Sequence, residues 1–304
     1  MIRPFLLFLI LIASPLLVSA EIDKKVIAFA QDTMSNDFRK AQVFEVRDAI
    51  ANYPELAFVY SDAQGQTSLM IRQIDQFIQQ KVDLLIIGTN DENAVVPVVS
   101  KAYKSGIPII VLDRGIKGSD FTTFINSDNI RIGQIGAEQI AQQINGKGTV
   151  LLLEGIKEAD VTKHRSMGFL NEIAKHKNIK VIRRTGNFLR KDAIIEMEKL
   201  IKEGIHVDAI FSESDSMLSG VRMVLKRYRI NPQSIVMVGV DFTSEAKEAI
   251  RNGSQTSSIL FPLGGIKAVE TAVNILNNQP VIKHINSPVR LITKINVEET
   301  APIF

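Results

Sequence analysis

The sequence predicts an α/β protein built from two similar doubly wound parallel-sheet lobes joined by a multi-strand hinge. Three observations predict it. Short β-branched runs alternate with amphipathic helical stretches from Lys25 onward. The runs are continuously apolar, as strands covered on both faces are. The whole pattern then repeats in the second half of the chain, with no low-complexity linker between the copies.

The elements follow in order. Val26–Ala30 reads as the first strand, and the stretch from Asn36 to Ala51 as a helix burying Phe44 and Ile50. Ala57–Tyr60, Leu84–Ile87 and Pro108–Leu112 are further strands, separated by helices near Leu69–Gln80 and Ala94–Lys104. In the second half, strands at Val150–Leu153, Val181–Arg184, Ala209–Ser212 and Ile235–Val240 alternate with helices near Arg165–His176, Asp192–Glu203, Ser216–Tyr228 and Ser244–Arg251. Gly106, Gly204 and Gly253 stand just past helices, where a left-handed residue closes the last turn. The two halves correspond in detail: Val82-Asp83-Leu84-Leu85 matches Val207-Asp208-Ala209-Ile210, and each is followed by a strand ending in aspartate, Asp113 and Asp241.

The N-terminus is of another kind. Arg3, the apolar run Phe5–Ala13 and the small residues Val18-Ser19-Ala20 have the order of a secretory signal peptide over residues 1–20, cleaved after Ala20. A membrane span needs about 20 apolar residues, and Ser14 and Pro15 interrupt this one. The 304-residue chain has no cysteine, so neither disulfides nor a lipidated thiol is expected, and the mature product should be free in the periplasm. A hydrophobic share of 45%, a charged share of 23% and a net charge of +3 suit an ordinary globular core and give no footprint for nucleic acid.

Open parallel sheets bind ligands beyond the carboxyl ends of their strands. Polar groups recur there: Asp32 and Asn36 after the first strand, Asp113 and Arg114 after Pro108–Leu112, Ser214 and Asp215 after Ala209–Ser212, and Asp241. Arg165 is expected to open a helix, and Phe38 and Phe188 lie close to strand ends. Carboxylates accept hydrogen bonds, arginine donates them in a planar fork, and aromatic faces cover C–H patches. That combination suits a polyol. Asp, Asn and Ser at such junctions also serve as helix caps, a role assigned to Asp215 in particular. The histidines are dispersed and no Walker A run or G-x-G-x-x-G follows a strand, so neither a metal nor a cofactor is expected. No nucleophile has an evident base, and catalysis is not expected.

Together these residues resemble the ribose/galactose-type periplasmic sugar-binding proteins, the type I solute-binding family. The likeness runs from about Lys25 to Ile292. It is carried by Ile109-Ile110-Val111-Leu112-Asp113-Arg114, by Asn126-Ser127-Asp128-Asn129, by Arg165 with Met167-Gly168-Phe169, and by Val238-Gly239-Val240-Asp241. The resemblance implies a periplasmic binding protein type I fold, with an N-terminal lobe of 21–126 plus about 261–288 and a C-terminal lobe of 127–260 plus about 289–304. It implies that Asp113, Arg114, Arg165 and Asp241 grip hydroxyls, that Asn36 contacts the sugar, that Phe38 and Phe188 sandwich the ring, and that Asp128 is a junction residue. The implied partners are a small sugar or polyol and either the membrane permease of an ABC importer or a sensor or chemoreceptor; a monomer is expected. Asp32, Gly88, Ser214, Leu260 and Arg39 depart from the ribose-binding pattern. With Arg39 outward, Asp32 would add a third carboxylate and disfavour anionic ligands; alternatively Asp32 caps the next turn or pairs with Arg39.

Overall fold

The computed structural model describes residues 24–304; the signal segment and its cleavage site lie outside the described residues. The first half runs β1 (Lys25–Gln31), α1 (Asp37–Ile50), β2 (Leu56–Asp62), α2 (Thr67–Gln79), β3 (Leu84–Gly88), α3 (Val96–Lys104), β4 (Ile109–Leu112) and β5 (Thr123–Ser127). The second runs α4 (Asn129–Gln143), β6 (Lys147–Glu154), α5 (Asp160–Ile173), β7 (Asn178–Thr185), α6 (Arg190–Lys202), β8 (Ala209–Ser212), α7 (Asp215–Arg227), β9 (Val236–Asp241), α8 (Ser244–Arg251) and β10 (Ser257–Leu260). The chain closes with α9 (Gly265–Leu276), β11 (His284–Ser287) and β12 (Arg290–Thr293).

Two six-stranded sheets result, ordered β2-β1-β3-β4-β5-β11 and β7-β6-β8-β9-β10-β12. All pairings are parallel except β10 with β12, whose short connection from β11 forces the reverse direction. The sheets exchange chain three times: at Asp128, between β10 and α9, and between β11 and β12. Late elements thus complete early ones, and α9 packs beside α1 on the first sheet.

The continuous apolar strands are explained by burial on both faces. Ile27 and Phe29 point toward α1 and α9, while Ala28 and Ala30 point toward α2 and α3. In the second sheet Val150 and Leu152 face α4 and α5, and Leu151 and Leu153 face α6 and α7. Gly106, Gly204 and Gly253 take φ of 92°, 70° and 81° one residue beyond the caps of α3, α6 and α8, as their positions in the sequence predict.

One boundary differs with consequence. The helix expected to open at Arg165 begins at Asp160, so Arg165 lies a turn and a half inside α5. It reaches the cleft from the helix flank. Its depth is fixed by α4: a Cβ on Gly133 would stand 2.1 Å from the Arg165 carbonyl oxygen, and one on Gly168 would stand 2.1 Å from that of Ile130. Only glycines allow so close an approach of two helix backbones.

Candidate functional site

The carboxyl ends of both sheets face each other across the junction. A cavity of about 20 Å³ lies there, lined by Asn36, Phe38, Asp113, Arg114, Val161, Arg165, Phe188, Ser214, Asp241 and Phe261. That is room for about one water, so a sugar-sized ligand requires the lobes to part or the side chains to yield. The residues chosen from sequence meet here, Asp32 excepted. Val161 and Phe261 were not chosen. Phe261 follows β10, whose Ser257-Ser258 start carries little strand signal.

Asn36 caps α1, its Oδ1 accepting from Arg39 N at 3.0 Å, and its Nδ2 donates across the cleft to Phe188 O at 2.8 Å. The cap and the interlobe contact are therefore one side chain. Asp37 Oδ2 accepts from Ser216 Oγ at 3.0 Å, and Asp160 Oδ2 accepts from Gly115 N at 2.8 Å, also across the junction. The lobes are in the closed arrangement.

On the first lobe the charges pair densely. Arg39 is fully buried; its Nη1 lies 3.0 Å from Asp113 Oδ2 and its Nε 3.6 Å from Asp32 Oδ1. Arg114 Nη1 donates to Asp32 Oδ2 at 3.3 Å. The outward Arg39 that would leave a net negative site is thus corrected: Asp32 pairs with Arg39 and Arg114 beneath the cavity, and the charges of Asp32, Asp113 and Asp241 are matched by Arg39, Arg114 and Arg165. Helix α1 is wedged at the junction, so adjacent Phe38 and Arg39 are both buried. Burial raises the Asp32 carboxyl against the opposing pull of Arg39 and Arg114. Burial, with Arg39 nearby, pushes the Arg114 guanidinium down to about 10. Asp32 Oδ1, Arg39 Nε and Nη2, Asp113 Oδ1 and Arg114 Nε make no hydrogen bond among the described residues.

The second lobe contributes a differently held half. Arg165 Nε donates to Asn129 Oδ1 at 2.8 Å and Nη1 to Glu213 O at 2.7 Å. Burial lifts the Asp241 carboxyl well above the usual range, only partly offset by Arg165. Ser214 caps α7, its Oγ accepting from Met217 N at 3.3 Å. Asp215, expected as that cap, is instead the first residue of α7 and binds inward, accepting from Phe242 N at 2.8 Å, Gln255 Nε2 at 2.7 Å and Ser258 Oγ at 2.5 Å. It ties α7 to β9 and β10.

The aromatic faces are occupied. The Arg114 Cζ lies 5.1 Å from the Phe188 ring centre, and the Arg165 Cζ lies 4.6 Å from that of Phe261, which Phe38 flanks at 5.3 Å. Phe188 fits because residue 155 is glycine; a Cβ there would overlap its ring at 1.9 Å. Asp113, Phe188 and Asp241 all hold left-handed backbone, with φ of 67°, 60° and 110°. Such conformations cost of order 1–3 kcal/mol each and concentrate at ligand sites. Among the described residues, no cluster of His, Cys, Asp or Glu could hold a metal ion.

The arrangement can bind, at a site lined from both lobes, a neutral ligand rich in hydroxyls. A family model described as periplasmic binding protein domain matches residues 27–280. The chain is 30% identical to the ribose import binding protein of Bacillus subtilis over 235 residues, covering 77% of this chain and 76% of that protein. An ABC transporter solute-binding protein from Bacillus halodurans, solved with bound myo-inositol, superposes with a TM-score of 0.86 at 27% identity, covering 92% of this chain and 98% of that one. The fructose-binding periplasmic domain of a hybrid two-component system superposes with a TM-score of 0.84 at 26% identity, covering 90% and 92%.

Proposed function

This chain belongs to the periplasmic binding protein domain family, and from that premise we propose that it captures a small sugar or polyol between its lobes for delivery to an ABC importer. The observation that carries the reading is the set of carboxylates, guanidiniums and phenylalanines meeting at one cavity from both lobes. Asp113, Arg114, Arg165 and Asp241 grip hydroxyls, Asn36 and Ser214 line the wall, and Phe38 and Phe188 face the ring once Arg114 moves off Phe188. Asp32 acts from beneath, by holding Arg114 and Arg39.

The binding lobes comprise 24–127 with about 261–288, and 128–260 with about 289–304, the first crossing falling one residue later than the sequence suggests. The chain acts in the periplasm as a monomer after cleavage at Ala20, and it binds and releases its ligand without chemistry. A second reading, presentation of the loaded form to a sensor kinase, is supported by the similarity to a two-component periplasmic domain. A neighbouring gene for a permease or for a kinase separates the two.

The test combines a thermal-shift panel of pentoses, hexoses and inositols with small-angle scattering on the stabilising compound. Ligand selects the closed lobes from an open–closed equilibrium, so the radius of gyration should fall at saturation. A panel with no stabilising compound, or an unchanged scattering profile, contradicts the proposal.

A further inference from the structure

Beside Arg165, and outside the lining of the cavity, three polar side chains are sealed in the second lobe. Glu154 ends β6, Ser166 follows Arg165 on α5, and Glu213 follows β8; they are 5%, 5% and 0% exposed. Ser166 Oγ lies 2.8 Å from Glu154 Oε1 and 2.8 Å from Glu213 Oε1. A serine hydroxyl has one hydrogen to donate. Were both carboxyls ionised, one of these short contacts would set two lone pairs against each other.

The remaining partners decide which carboxyl carries the extra proton. Glu154 takes Arg183 Nη2 on Oε1 at 2.6 Å and Arg183 Nε on Oε2 at 3.2 Å, the fork of an ionised carboxylate. Glu213 Oε2 accepts from Gly155 N at 2.9 Å, which leaves Oε1 as the protonated oxygen. We propose that Glu213 is a neutral carboxylic acid whose Oε1–H donates to Ser166, and that it is a positioning residue for Arg165. The hydrogen bonds then run one way: Glu213 to Ser166, Ser166 to Glu154, with Arg183 closing the end.

The link to Arg165 is double. The main-chain oxygen of Glu213 accepts from Arg165 Nη1 at 2.7 Å, while its side chain holds Ser166, the next residue of α5. One residue therefore fixes both the guanidinium and the helix that bears it. Among the described residues, the charged groups facing Glu213 are Arg165 from α5 and Glu154 from β6, with Arg183 from β7 reaching it through Glu154. Burial, reinforced by Glu154 and opposed by Arg165, pushes the Glu213 carboxyl up to about 7 from an ordinary 4.5. A carboxyl raised on folding favours the fold below its unfolded value, and that contribution is lost as pH rises through about 7. Above it, two carboxylates contest one hydroxyl hydrogen, and α5 shifts with Arg165.

The inference rests on Arg165 being a ligand contact, but its test uses the ligand-free chain. The probes are carbon NMR of labelled glutamate carboxyls and the Arg165 Nε–H resonance, identified by its loss in Arg165→Lys. Glu213 should titrate with a midpoint near 7, and the Arg165 signal should move with that midpoint. In Glu213→Gln, whose amide donates to Ser166 as the acid does, the Arg165 signal should stay at its acid position at every pH. In Glu154→Gln the midpoint should fall, because the neighbouring negative charge is gone. A Glu213 midpoint near 4.5, or an Arg165 signal that ignores the titration in wild type, overturns the proposal. Failure of every sugar to bind would leave these signals unchanged and bear on the ligand reading alone.

Discussion

The two halves of the cleft hold their charges by different means. On the first lobe Asp32, Arg39, Asp113 and Arg114 neutralise one another, and five of their buried polar atoms have no hydrogen-bond partner among the described residues. On the second lobe Arg165 is held by a neutral amide oxygen and a main-chain carbonyl, and Asp215 has a donor on each carboxylate oxygen. The first half is electrostatically closed but has hydrogen-bonding capacity to spare. The second holds Arg165 and Asp215 on partners that are mostly neutral. Ligand discrimination should therefore reside more in the first lobe and rigidity more in the second.

Arg39→Leu tests the difference most severely. It leaves Asp32 and Asp113 buried with Arg114 as their shared cation, and breaking a buried ion pair costs about 3–5 kcal/mol. Arg165→Leu removes two bonds to neutral groups and the charge that partly offsets Asp241, whose carboxyl burial already raises, and in the ligand-free protein should cost less, about 1–3 kcal/mol. Chemical denaturation of both variants measures the gap. Equal losses would erase the distinction between the halves.

An effect of the same size as that of Arg165→Leu is expected from Gly133→Ala, which probes the second half without touching a charge. Its Cβ would press on backbone at Arg165 and Phe169, at 2.1 Å and 2.6 Å. Helices α4 and α5 must separate, at about 1–3 kcal/mol for overpacking, and Arg165 moves with α5. Denaturation should show the loss. A variant as stable as wild type would mean that the two helices are not held at a fixed spacing.

The contrast between the halves also marks what the sequence discloses. Asp113 and Asp241 were legible because each ends an apolar strand buried on both faces, and strand ends are where such sheets place ligands. Arg165 was legible as a residue but misplaced by a turn and a half, since Asp160 rather than a strong N-cap side chain begins α5. Arg39 was legible only as an alternative partner of Asp32, not as a fully buried residue. It neighbours Phe38 on a helix wedged between lobes, where both flanks are buried and periodicity assigns no outward face. Strands β5, β10, β11 and β12 are short and partly polar, and their place depends on exchanges of chain between sheets that no local pattern encodes. The Glu154–Ser166–Glu213 cluster joins three distant segments, each unremarked by itself.

The central claim is that one ligand is gripped by both lobes at once. Its most direct test is calorimetric titration of the chain from Glu21 onward with D-ribose, D-fructose and myo-inositol, in wild type, Asp113→Asn and Asp241→Asn. The account predicts one bound sugar or polyol per chain, and at least about a 30-fold loss of affinity, about 2 kcal/mol, from either substitution. Wild-type affinity in both variants, or in the variant of either lobe alone, would contradict it.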